Sequence, residues 1–223
     1  NPHNPVGRVW TAEELQQLGE ICLRHHVIVV SDEIHNDFVY PGFEHTVFAT
    51  VDHRFAEFTV TCTAPSKTFN LAGLQISNIF IPNEKLRKAF QTEIDKTGYD
   101  EPNALGIVAC EAAYRAGEDW LDQLRAYLLK NLNFLRNFLQ EKIPQIHLVE
   151  PEGTYLVWLD CSELGITGKE LDQFIVDKAG LWLDGGSMFG PSGAAFQRVN
   201  IACPRATLEL ALNKLKAAVD NLK

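Results

Sequence analysis

The chain has 223 residues, 46% of them apolar and 22% charged, with a net charge of −9. That is the composition of an ordinary globular protein large enough for one large domain or a domain plus a smaller one. The acidic balance argues against nucleic acid or an anionic membrane as a default partner, and no apolar run approaches the ~18 residues of a membrane span.

Five cysteines stand at 22, 62, 110, 161 and 203 with no Cys-x-x-Cys pair. Neither a zinc site nor a redox pair is supported, and the odd count fits reduced thiols in a cytoplasmic protein. The opening Asn1-Pro2-His3-Asn4-Pro5-Val6-Gly7 is turn chemistry with nothing before it to turn from, so the chain is expected to be part of a longer protein. Thr11 and Glu14 make a capping box for a helix reaching about residue 25, where His25-His26 close it. Val27 to Val30, apolar without alternation, predicts a strand buried on both faces in a parallel sheet, ending in Ser31-Asp32-Glu33-Ile34-His35.

A β-branched run at 57–62 predicts the next strand, followed by Ala64-Pro65-Ser66-Lys67-Thr68 and a Phe69-Asn70-Leu71-Ala72-Gly73 turn. A third strand is expected over 76–81. Helices follow, capped by Asn83 and Asn103, and then a long one with Leu121, Leu124, Leu128, Leu132, Leu135 and Leu139 at helical spacing, ended by Pro144. Strands are next expected at 154–159, 181–183 and 196–202. A second capping box, Thr167 with Glu170, opens a helix between the first two, and a closing helix runs from Pro204. The expected fold class is α/β, with residues 1–118 as part of a large domain, 119–143 as a connecting helix and 144–223 as a small α+β domain.

The glycines at 185, 186, 190 and 193 match no phosphate-loop spacing and suggest a flexible loop. No GxSxG elbow or HExxH helix is present. What remains is Asp32 and Lys67, each at the predicted carboxyl end of a strand, where α/β sheets bind ligands. They allow two readings: a salt bridge at the rim of the sheet, or a cofactor-bonding lysine beside an acid that holds a protonated ring nitrogen.

At these residues the chain resembles the fold-type I pyridoxal-phosphate enzymes of the aminotransferase class I/II group. Asn4-Pro5-Val6-Gly7 is similar to that group's NP-x-G turn, Asp32-Glu33-Ile34-His35 to its D-x-x-[YH] segment, Ser66-Lys67 to its cofactor lysine and Arg198-Val199-Asn200 to its R-[IV]-N strand. Within the group the chain most resembles the MalY/PatB-type cystathionine β-lyases, through the strings from Ser31 to Ala49, Ser66 to Asn78 and Pro151 to Asp160. Where aminotransferases of the group usually carry Tyr, this chain has His35. Where many of them hold the cofactor phosphate with Ser and Arg, it has Ala64 and Gln75.

The resemblance implies a large domain built on a mostly parallel sheet and a pyridoxal 5′-phosphate cofactor. It implies Lys67 as the catalytic base, with Asn4, Asp32, His35 and Ser66 as cofactor contacts. Arg198 becomes the group that takes the substrate carboxylate; its alternative is a surface charge at a strand edge. The implied reaction is β-elimination from L-cystathionine or cysteine S-conjugates in a cytoplasmic homodimer. Transamination of an L-amino acid uses the same core residues, and an inactive fragment lacking the family's N-terminal half is the third reading.

Overall fold

The computed structural model describes residues 1–99 and 101–222, which divide into two compact units. The first comprises residues 1–2 and 9–123, the second residues 3–8 and 124–223.

In the first unit, helix α1 (Ala12–Arg24) starts from the expected capping box, with both reciprocal bonds between Thr11 and Glu14 formed. Strand β1 (Val29–Asp32) pairs in parallel with β2 (Thr59–Thr63), and β3 (Asn78–Phe80) adds antiparallel to β2, giving the order β1-β2-β3. The short helix α2 (Phe48–Val51) contributes Phe48, whose ring stacks on Phe55 at 5.3 Å. With Leu15 they form the core under the sheet, and α1 approaches closely because Gly19 leaves room for the Phe55 ring. Helices α4 (Glu84–Thr97) and α5 (Ala104–Ala116) follow the single-turn α3 (Pro65–Thr68), and Asn83 and Asn103 cap α4 and α5 as expected. The burial predicted for the first strand does not occur: Ile28 is 54% exposed and Val30 66%. β1 is the edge of its sheet, so the apolar run lacks the neighbours that parallel strands require.

Helix α6 (Glu118–Lys142) begins in the first unit, and its leucines from Leu128 to Leu139 pave the core of the second. That unit's sheet has the order β4-β5-β7-β6, all antiparallel, built from β4 (His147–Val149), β5 (Leu156–Asp160), β6 (Asp184–Gly185) and β7 (Phe196–Asn200). Helices α7 (Gly168–Asp177) and α8 (Arg205–Asp220) turn Leu171, Ile175, Leu208, Leu212 and Leu215 into the interior. Asn131, fully buried on α6, donates to the carbonyls of Ile201 and Cys203 and accepts from Arg205 Nε, fixing the step from β7 into α8.

Three expectations fail here. The Thr167 hydroxyl makes no capping bond; Gly168, the first helical residue, takes a left-handed φ of 56°, and its N–H goes to the Ala194 carbonyl at 2.7 Å. The strand expected at 181–183 lies instead at 184–185, and Trp182 is 89% exposed. The glycine segment is not a flexible loop but two consecutive 3₁₀ turns. A Cβ on Gly186 would stand 2.1 Å from the Gly193 carbonyl oxygen, so Gly186 and Gly193 serve close backbone packing. No described helix is long and apolar enough to cross a membrane.

Candidate active site

β1 and β2 run parallel and in register, Asp32 opposite Cys62, so both strands deliver their following turns to the same edge of the sheet. Asp32 ends β1 exposed, and its Oδ1 accepts the Ile34 N–H at 3.1 Å in an Asx-type turn. The adjacent Glu33 has the opposite fate and is only 1% exposed. It accepts from the Ser31 hydroxyl at 2.9 Å and the Phe48 N–H at 3.1 Å, and its Oε2 lies 2.9 Å from His45 Nε2. Burial pushes its carboxyl up, the largest single influence, but these hydrogen bonds and the His45 charge together outweigh it and hold the group below the usual carboxylate range. Glu33 thus anchors the loop around 45–48 behind Asp32. His35 is buried within the same turn, where its carbonyl accepts the Phe38 N–H.

After β2, Ala64 is buried at the start of α3 and Pro65 fills the first helical position, where a missing N–H is harmless. Ser66 is half-buried and Lys67 exposed. Two contacts fix this turn. Thr68 Oγ1 donates to Asp37 Oδ2 at 2.6 Å, tying the lysine turn to the one that follows Asp32. Phe69 packs edge-on against Tyr114 at 5.7 Å and lies 5.9 Å from Trp120. Gln75 is exposed in the left-handed region. The structure therefore brings Asp32, His35, Ser66 and Lys67 onto two linked turns.

In the second unit, residues 3–8 form a closed turn in which the Gly7 carbonyl accepts both the Glu152 and Gly153 N–H groups at 2.8 Å. Gly7 has φ 79° and sits so close to Pro151 and the Gly153 carbonyl that a side chain would not fit. The Asn4–Pro5 peptide is cis, a form that tight X-Pro turns permit. Exposed Asn4 offers its Oδ1 to Arg198 Nη1 at 2.8 Å. Arg198 is not a free strand-edge charge: its side chain is 17% exposed, and Nε and Nη2 both donate to Asp184 Oδ2, at 3.1 and 2.5 Å. Its guanidinium carbon stands 5.0 Å from the centre of the Phe189 ring. Nearby, burial pushes the Tyr155 phenol up despite the Arg198 charge.

Sequence reasoning missed three partners: Asp184 of Arg198, Asp37 of Thr68 and His45 of Glu33. Only the first had a signal, the acid just ahead of the glycine segment that precedes β7. All five cysteines are unpaired, and no cluster of metal-ligating side chains occurs among the described residues.

These turns meet known proteins at the level of the whole chain. A family model described as aminotransferase class I and II matches residues 1–215. The chain belongs to that family. It is 46% identical over 219 residues to the cystathionine beta-lyase PatB of Bacillus subtilis, covering 98% of this chain and 57% of that protein. The crystal structure of cystalysin from Treponema denticola, which contains a pyridoxal 5′-phosphate cofactor, superposes with a TM-score of 0.97 at 41% identity, covering all of this chain and 57% of that one. An aspartate aminotransferase of Geobacillus stearothermophilus is 28% identical over 220 residues, covering 96% of this chain and 55% of that protein. The chain thus spans little more than half the length of these relatives. It has the α/β fold of the pyridoxal-phosphate enzymes, and its sequence stands nearer the PatB lyase than the aspartate aminotransferase.

Proposed function

We propose that the protein carrying this chain is a pyridoxal-phosphate-dependent carbon–sulfur lyase, eliminating thiol from L-cystathionine or cysteine S-conjugates to leave pyruvate and ammonia. The observation that carries the reading is the pair of tied turns presenting Lys67 and Asp32, in a chain 46% identical to a cystathionine beta-lyase. The donor set fits the cofactor. Lys67 offers an exposed amine for an aldehyde, and Asp32 an exposed carboxylate for a protonated ring nitrogen. Asn4, its oxygen taken by Arg198, has its NH₂ left for a phenolic oxygen. Ser66 is the hydroxyl proposed for the phosphate, and His35 is proposed to support the ring from the Asp32 turn. When bound, the cofactor supplies a carbonyl that captures the substrate amine and a ring that accepts an electron pair from the adjacent carbon.

Arg198 would bind the substrate carboxylate through its planar fork and so fix the direction of the Cα–H bond. Lys67 Nζ would take the Cα proton as general base. As the Cβ–S bond breaks with its electrons on sulfur, the resulting ammonium can return a proton to the leaving thiolate. Asp32 would hold the protonated ring nitrogen through a charge-assisted hydrogen bond. Water then releases pyruvate and ammonia.

By the same resemblance the protein is proposed to act as a cytoplasmic homodimer. The test is the full protein with L-cystathionine and pyridoxal phosphate: pyruvate and free thiol should form in equal amounts. Amino transfer to an added keto acid without pyruvate formation would instead establish an aminotransferase.

A further inference from the structure

We propose that Asp184 is a positioning residue for carboxylate recognition, a role that rests on the reading of Arg198 above. A guanidinium has five N–H donors in one plane. Asp184 Oδ2 takes those on Nε and one on Nη2, and Asn4 Oδ1 takes one on Nη1. One N–H is left on each Nη nitrogen, so two donors remain for an incoming carboxylate.

Asp184 is itself rigidly placed. It lies directly opposite Arg198 in the β6–β7 register, so the two side chains share a face of the sheet. Its strand cannot shift toward α7, because a Cβ on the next residue, Gly185, would already overlap the Asp172 carboxylate, which Gln197 Nε2 holds at 2.7 Å. Beyond it Gly186 is packed against Gly193. With Phe189 beside the guanidinium, a flexible side chain becomes a fixed plane on three sides. Its rotamers are spent in folding instead of in binding.

The two possible roles of Asp184 differ in sign. A carboxylate that merely competed for Arg198 would weaken substrate binding, and its removal would tighten it; one that orients the fork strengthens binding, and its removal loosens it. The experiment uses the full protein loaded with pyridoxal phosphate. It is titrated with L-alanine, which carries amine and carboxylate but no leaving group, and with methylamine, which carries only the amine; binding is followed by the cofactor's absorbance. In Asp184→Ala the dissociation constant for L-alanine should rise about tenfold, as loss of charge-assisted orientation implies, with methylamine affinity held within about twofold. Asp184→Asn, which keeps an acceptor oxygen at the same reach, should fall between, and in both variants KM for L-cystathionine should change more than kcat. Unchanged or tighter L-alanine binding in both variants would overturn the inference, as would equal losses for both ligands, which mark a structural role. An unaltered protein that responds to neither ligand would overturn the cofactor reading itself, and this inference with it.

Discussion

Lys67 and Arg198 are both cationic residues with proposed roles in one reaction, and they are held in opposite ways. Lys67 rides on a four-residue helix that is itself pinned by Thr68 and Phe69, while the amine is exposed and makes no ion pair among the described residues. Arg198 is held at the charged group itself, by Asp184, Asn4 and Phe189. A flexible ammonium on a fixed base suits a group that must change partners and carry a proton. A guanidinium clamped at its own nitrogens suits a group that must not move.

The contrast can be broken most sharply at Lys67. Lys67→Ala should lower pyruvate release by about a thousandfold or more while leaving the melting temperature unchanged, because an exposed amine contributes chemistry and little packing. The change Arg198→Lys keeps the charge but loses the fork. KM for L-cystathionine should rise about a hundredfold, with a smaller fall in kcat, since one point charge replaces a multidentate contact.

The support beneath Arg198 can be probed without touching it. Gly186→Ala forces a methyl group into the Gly193 carbonyl, and denaturant unfolding should show a loss of about 1–3 kcal/mol. On the other side, Glu33 should make stability depend on acid. Its folded carboxyl lies below its unfolded value, so its contribution is complete above the ordinary pKa of about 4.3 and is lost as pH falls through the folded value. Glu33→Gln should flatten that acid limb in melts taken between about pH 2 and 6. The smallest effect should come from Thr68→Val, which removes one hydroxyl bond to Asp37: about 1 kcal/mol of stability and a few-fold in kcat, with KM unchanged.

What the sequence made legible follows the range of the forces involved. The Thr11 box and the Asn83 and Asn103 caps are bonds within a few residues, and all three are formed. The α6 leucines face one way because helical geometry alone puts them there. The strand end carrying Asp32 could be placed because an apolar run stops where a polar turn begins, whereas Lys67 lies on the helical turn α3 just past the end of β2. The failures are all set by distant neighbours. The Thr167 box has the right residues, but the helix opens on Gly168 in the left-handed region, its N–H bonded to the distant Ala194 carbonyl, and the cap does not form. The glycines at 186 and 193 look permissive in sequence and are tightly packed in space, since only the fold brings them together. Asp184 and Arg198 meet through a strand register fourteen positions apart, which no local pattern encodes. The rise of the Cys161 thiol to about 12, chiefly from burial with the Asp160 charge adding, belongs with these, because burial is a property of the assembled unit.

The edge position of β1 has a practical consequence for anyone handling these 223 residues by themselves. A parallel strand with an open side and with Ile28 and Val30 turned to water is an adhesive template for any extended segment that reaches it. Recovery of soluble material should therefore fall as concentration rises, and light scattering should grow before any loss of helical signal. A charged residue at position 30 should restore solubility without altering the helices, which would separate the stickiness of one strand from the integrity of the fold.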